Sequence, residues 1–140
     1  MYQKDYMLRM VEMFGELLRA IFGMITRGDY NQATQKINEA YLTMLRKDAA
    51  FFQHIPPDEL TTTLITEHNF TNAHLEILAE LLYAEATLQF AKNNIIDSLP
   101  YYQKSLALFE FVDTASRTYS NDQQEKMEQI RRRILEIGKK

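Results

Sequence analysis

The chain of 140 residues contains no cysteine and no tryptophan, and it has only four glycines and three prolines. Without cysteine, the sequence excludes disulfide bonds, thiolate metal sites and cysteine nucleophiles. So few glycines and prolines leave little material for tight turns, which disfavours a fold of many strands. The sequence therefore favours long helices, and its length predicts one all-helical domain over residues 1–140.

The charge balance is mildly acidic, with a net charge of −3 and an isoelectric point near 5.6. A basic excess is the usual requirement for neutralising phosphates, so this balance argues against a nucleic-acid partner. No stretch approaches the ~18 apolar residues of a membrane span, and the first residues lack the pattern of a secretory signal. We expect a cytoplasmic protein with no membrane partner.

Hydrophobic periodicity predicts about six helices, joined by short turns. Gly28 is expected to end the first helix and Asp29 to cap the second, whereas Pro56 and Pro57 interrupt the pattern before a short helix. Thr71 is the expected cap of the fourth helix. The predicted helices span residues 3–27, 30–50, 57–68, 72–92, 95–119 and 122–138.

The first predicted helix is apolar over more than one face. Such a helix is either central in a bundle or covered by a second chain. Gly15 and Gly23 would allow another helix to approach it closely. We therefore predict a partner-binding or self-association surface on this helix, formed by Tyr6, Met10, Met13, Leu17, Phe22 and Met24.

Two segments share one pattern, Arg27-Gly28-Asp29-Tyr30 followed by Ala33, Ile37 and Ala40, and Asn93-Asn94-Ile95-Ile96 followed by Ser98, Tyr102 and Ser105. Each resembles the second half of a tetratricopeptide repeat, whose glycine turn Asn93 can replace. Ile21, Glu85 and Gln89 depart from the family pattern. The resemblance implies antiparallel helical hairpins in a right-handed stack, with units at about 3–50 and 72–119, a linker helix at 57–68 and a C-terminal helix at 122–138. The alternative is an ordinary helical bundle.

The opening segment, Tyr2 to Met10, and the length of the chain are also similar to a family of small uncharacterised proteins from low-GC Gram-positive bacteria. This resemblance implies a bacterial, cytoplasmic helical protein of unknown activity and transfers no site residue.

Catalytic chemistry is poorly represented. The three histidines include no Glu-x-x-His pair, and the strongest metal site would combine Glu67, His68 and His74. The serines lie far along the chain from every histidine, and no glycine-rich phosphate loop is present. We therefore predict no catalytic residue, no metal, no cofactor and no enzymatic activity.

Three functions remain open. The leading hypothesis is a non-enzymatic interaction or scaffold module that binds a protein or peptide, or forms a homodimer through its first helix. The second is a helical bundle that binds a small apolar ligand or a metal ion in a cavity lined by methionine and aromatic residues. The third is a nucleic-acid-linked regulator that uses Arg131, Arg132 and Arg133, although Glu128 and Glu136 are placed to pair with these arginines.

Overall fold

The computed structural model describes residues 2–116 and 121–139. Over these residues the chain is all-helical, as predicted, and contains seven helices. They are α1 (Tyr2–Thr26), α2 (Tyr30–Leu45), α3 (Ala49–Gln53), α4 (Pro57–His68), α5 (Asn72–Ala91), α6 (Ile95–Ser116) and α7 (Asn121–Gly138).

Gly28 ends α1 in the left-handed conformation, with φ of 80°. Its N–H donates to the carbonyl of Ile25 at 3.0 Å, and the N–H of Asp29 donates to that of Met24 at 2.8 Å. These two bonds satisfy carbonyls that the helix end would otherwise leave free. Asp29 occupies the N-cap position of α2, as predicted, but its side chain makes no capping hydrogen bond.

Asn93 repeats this geometry between α5 and α6. Its φ is 69°, its N–H donates to Phe90 at 3.0 Å, and the N–H of Asn94 donates to Gln89 at 2.8 Å. Asparagine tolerates the left-handed region better than most residues. The prediction that Asn93 takes the place of a turn glycine is confirmed at the level of the backbone.

The predicted helix 30–50 is two helices. α2 ends at Leu45, Arg46 adopts a φ of 61°, and Asp48 accepts a hydrogen bond from the N–H of Phe51 at 3.0 Å. An aspartate in this position competes with helix continuation by capping a new helix start. The chain therefore turns after α2 and begins the short α3 before Pro56 is reached.

α4 and α5 begin where expected. Pro57 is the first residue of α4, where its missing N–H costs nothing. Thr71 caps α5 by accepting from the N–H of His74, while His74 Nδ1 accepts from the N–H of Thr71 at 3.0 Å. This reciprocal pair satisfies two free donors at the helix start.

α5 is the central helix. It packs against α1, α2 and α6, and α6 also contacts α4 and α7. Ten α5 residues are buried, and they surround its axis, as expected for a helix covered on most sides. Their side chains join those of α1, α2 and α6 in one core.

Among the residues that the structure describes, no second helix comes within 4 Å of a Cβ built at Gly15 or Gly23, so the close approach expected at these glycines is not seen within the chain. A Cβ at Gly15 would meet only Arg19, at 4.0 Å, and a Cβ at Gly23 would meet only Arg27, at 3.4 Å. Both neighbours are the ends of long arginine side chains, of Arg19 on α1 and of Arg27 directly after it.

Candidate binding surfaces

The predicted surface on α1 divides into two sides. Met13 is 70% exposed and Met10 and Leu17 are half-buried, with Ala20 exposed one turn further along. These four residues recur at spacings of three and four, so they form one stripe along the helix. We call Met10, Met13, Leu17 and Ala20 the α1 stripe.

The other predicted residues of α1 lie elsewhere. Phe22 packs against Tyr83 of α5 with ring centroids 5.7 Å apart, and Met24 is only 8% exposed and belongs to the core. Met24 therefore offers no free surface, because folding of the chain already covers it. Tyr6 lies outside the residues whose side chains the structure describes.

A second surface, which the sequence did not reveal, is an open cleft of about 330 Å³ between α5, α6 and α7. Its aromatic floor is formed by Tyr83, Phe90 and Tyr102. Tyr83 and Tyr102 pack at 6.2 Å between centroids, a separation typical of aromatic pairs. We call this space the α5–α7 cleft; it is lined by Tyr83, Thr87, Phe90, Ala91, Tyr102, Gln129, Arg132, Arg133 and Glu136.

Arg133 contacts both an aromatic ring and a carboxylate in the cleft. Its guanidinium carbon lies 3.9 Å from the centre of the Phe90 ring, and Nη1 donates to Glu136 at 3.1 Å. Burial raises the pKa of Tyr102, and Arg133 and the Thr87 hydroxyl offset part of that rise. The phenol of Tyr102 therefore stays protonated at neutral pH and can donate a hydrogen bond.

The neighbouring arginines are paired as the sequence predicted. Arg131 contacts Glu110 at 3.3 Å and Glu128 at 3.6 Å, and Arg132 contacts Glu128 at 3.8 Å. Each pair is partly or largely exposed, so each contributes little to stability. Arg131 does not line the cleft, whereas Arg132 and Arg133 do.

A polar cluster lies beneath α3, on another side of α5. Lys104 is 6% exposed and donates from Nζ to the carbonyls of Phe52 at 3.1 Å and Gln53 at 3.0 Å. Gln53 donates to the hydroxyl of Tyr101 at 2.9 Å, and Tyr101 is hydrogen-bonded to the buried carboxyl of Glu85. Glu85 and Gln89, the two departures from the repeat pattern on α5, thus lie near this cluster: Glu85 within it, and Gln89 in the adjoining cavity with Tyr101 and Lys104.

Burial controls the titration of these groups. It raises the pKa of Glu85, against the opposing effect of the Tyr101 hydrogen bond, and it lowers the pKa of Lys104. The ammonium of Lys104 lies at the last carbonyls of α3, where positive charge is favourable to the helix dipole. This placement gives Lys104 a structural use as the cap of α3.

The histidines do not converge. His68 packs edge-on against Phe51, His74 packs against Phe70, and His74 Nδ1 takes part in the capping of α5. Within the described ranges, no group of three histidine, aspartate or glutamate side chains is placed to hold a metal ion. The arrangement that would combine Glu67, His68 and His74 is not formed there.

Among the helices described, none is both long enough and apolar enough to cross a membrane. Comparison of the chain with protein-family models, with curated proteins and with solved structures gave no match.

Proposed function

We propose that this chain is a non-enzymatic protein-interaction module, built from two tetratricopeptide-like hairpins, that associates with a second copy of itself. The two hairpins would be α1–α2 and α5–α6. Two observations support this architecture: the turns at Gly28 and Asn93 share one backbone geometry, and α5 packs against both α1 and α2. Packing of each unit only against its neighbours is typical of stacked repeats.

The exposure of Met13 within the α1 stripe is the main support for self-association. Single exposed apolar residues are ordinary on protein surfaces, and Ile96 and Leu135 are of that kind. Met13 differs because half-buried Met10 and Leu17 lie beside it on the same helix side. A first unit of a stack exposes the face that a preceding unit would cover, unless that face is polar.

The charges near the stripe are compatible with a second copy as its occupant. Arg9 and Arg19 are balanced on the same helix by Glu12 and Glu16, and all four are exposed. A helix with balanced charges does not repel its own copy, and salt-bridged flanks often accompany an apolar helix seam. Methionine also adapts its shape readily to an opposing surface.

The test is the mass of the protein in solution at tens of micromolar, measured by sedimentation velocity. The unmodified chain is expected to be a dimer or larger, and Met13→Glu is expected to shift it to monomer. Ile96→Glu is the matched control, because Ile96 is 67% exposed but lies on α6. A monomeric unmodified chain, or an equal effect of both variants, would contradict the proposal.

A further inference from the structure

We propose that the α5–α7 cleft binds a small planar aromatic carboxylate, with Arg133 as its anion-binding residue. This site is separate from the α1 stripe and does not depend on self-association. It also differs from the expected cavity for an apolar ligand, because one wall of the cleft carries guanidinium groups.

Arg133 is held in the cleft by an aromatic ring. Its guanidinium lies against the flat face of Phe90, at 3.9 Å from the ring centre. A guanidinium stacked on a ring uses its face for that contact, and its N–H groups lie along the edge. In Arg133 one of these groups donates to Glu136, and the side chain also interacts with the hydroxyl of Tyr102. A carboxylate can accept two parallel hydrogen bonds from such an edge.

Donors outnumber acceptors in the lining of the cleft. It contains the guanidinium groups of Arg132 and Arg133 and the amide of Gln129, together with the hydroxyl of Tyr102, which interacts with Thr87 and Arg133. Its one carboxylate is that of Glu136, whose side chain is 60% exposed while paired with Arg133. An exposed pair within one helix is weak. A ligand carboxylate held in the cleft can therefore take the place of Glu136 on Arg133.

The aromatic floor suits a flat ligand. Tyr83 and Tyr102 give ring surface for it, whereas one face of Phe90 is already covered by Arg133. Aromatic rings favour offset or edge-to-face contact with one another. A volume of about 330 Å³ is at the small end of ligand pockets. The space suits a bicyclic ring with one acidic group better than a longer chain.

The direct test is titration of the full-length protein with 2-naphthoate, followed by calorimetry and amide NMR. Binding is expected with the largest shifts at Thr87 and Phe90, and 2-naphthamide, which has the same ring without the charge, is expected to bind roughly tenfold more weakly. Cyclohexanecarboxylate, which keeps the charge without the ring, should also bind more weakly. No binding at millimolar 2-naphthoate, or equal binding of the amide, would overturn the proposal.

Three variants locate the site. Arg133→Gln should weaken 2-naphthoate binding by roughly tenfold, whereas Arg131→Gln, on the same helix but outside the cleft, should leave it unchanged. Glu136→Gln should tighten binding a few-fold, because the competing carboxylate is gone. Each variant is first checked for unaltered helix content.

The proposal is contradicted if Arg131→Gln weakens binding as much as Arg133→Gln, or if Glu136→Gln weakens it. Where Arg133→Gln loses helix content, Arg133→Lys replaces it. That variant retains the charge but not the flat guanidinium, so it should still bind several-fold more weakly.

Discussion

Glu85 is a carboxylic acid in the middle of α5, the most buried helix described. The free-energy cost of burying its ionised form should appear in the pH dependence of stability. Burial raises its pKa above the ordinary value of 4.5. The unfolded chain therefore releases this proton at lower pH than the folded chain does, and the contribution of Glu85 to stability falls as pH rises past the unfolded value. The sequence showed Glu85 as a departure from the repeat pattern, but it did not show that Tyr101 would be its partner.

Glu85→Gln is expected to raise the free energy of unfolding at pH 7 and to change it little near pH 4. The amide can still accept the hydrogen bond of Tyr101 and carries no charge to bury. Urea unfolding of both proteins at the two pH values measures the difference. Glu76→Gln serves as a comparison. Burial also raises the pKa of Glu76, but this residue lies on the more exposed side of α5. The substitution is expected to be more favourable at pH 7 than at pH 4. The opposite order of the two changes in the free energy of unfolding would show that the buried carboxylate is not destabilising.

At the scale of elements, the sequence predicted the position of most helices because caps and turns leave local signals. The turn at Gly28, the cap at Thr71 and the start at Pro57 were all read correctly. The end of α2 at Leu45 was missed because Arg46, a residue with no preference for positive φ, forms the turn. Asp48 did carry a capping signal, but the apolar residues of α3 continued the helical pattern across it.

α3 has only five residues and depends on tertiary contacts for stability, since isolated helices of this length are not stable. Two of these contacts are the hydrogen bonds from Lys104 of α6. Lys104→Met is expected to lower the free energy of unfolding by about 2 kcal/mol, because the carbonyls of Phe52 and Gln53 lose a charged donor. In the Lys104→Met variant, amide hydrogen exchange should accelerate more in α3 than in α5, relative to the unmodified chain. Lys92→Met is the control, because Lys92 is exposed and should change stability by less than about 0.5 kcal/mol. Equal effects of the two substitutions would rule out a capping role.

At the scale of the whole molecule, the α5–α7 cleft could not be read from the sequence, because it joins residues far apart in the chain. Phe90 and Arg133 are brought together only when α7 packs on α6, and no local pattern encodes that contact. The α1 stripe was predictable in part, since periodicity showed an excess of apolar residues. Packing of the other helices decides which of these residues are buried. The sequence alone could therefore not distinguish the covered Phe22 and Met24 from the exposed Met13.

The central position of α5 also predicts how the chain unfolds. Because α1, α2 and α6 all pack against α5, loss of its core contacts should destabilise both pairs of helices together and not one after the other. Leu78→Ala, at a fully buried α5 position, is expected to lower the free energy of unfolding by about 2–5 kcal/mol. Native-state hydrogen exchange should then accelerate by the same factor in the protected amides of α2, α5 and α6. Leu135→Ala, at a position 66% exposed on α7, should leave these rates nearly unchanged. If Leu78→Ala accelerated exchange in α5 and α6 while α2 kept its original rates, the α1–α2 pair would be stable by itself, and the molecule would unfold as two units.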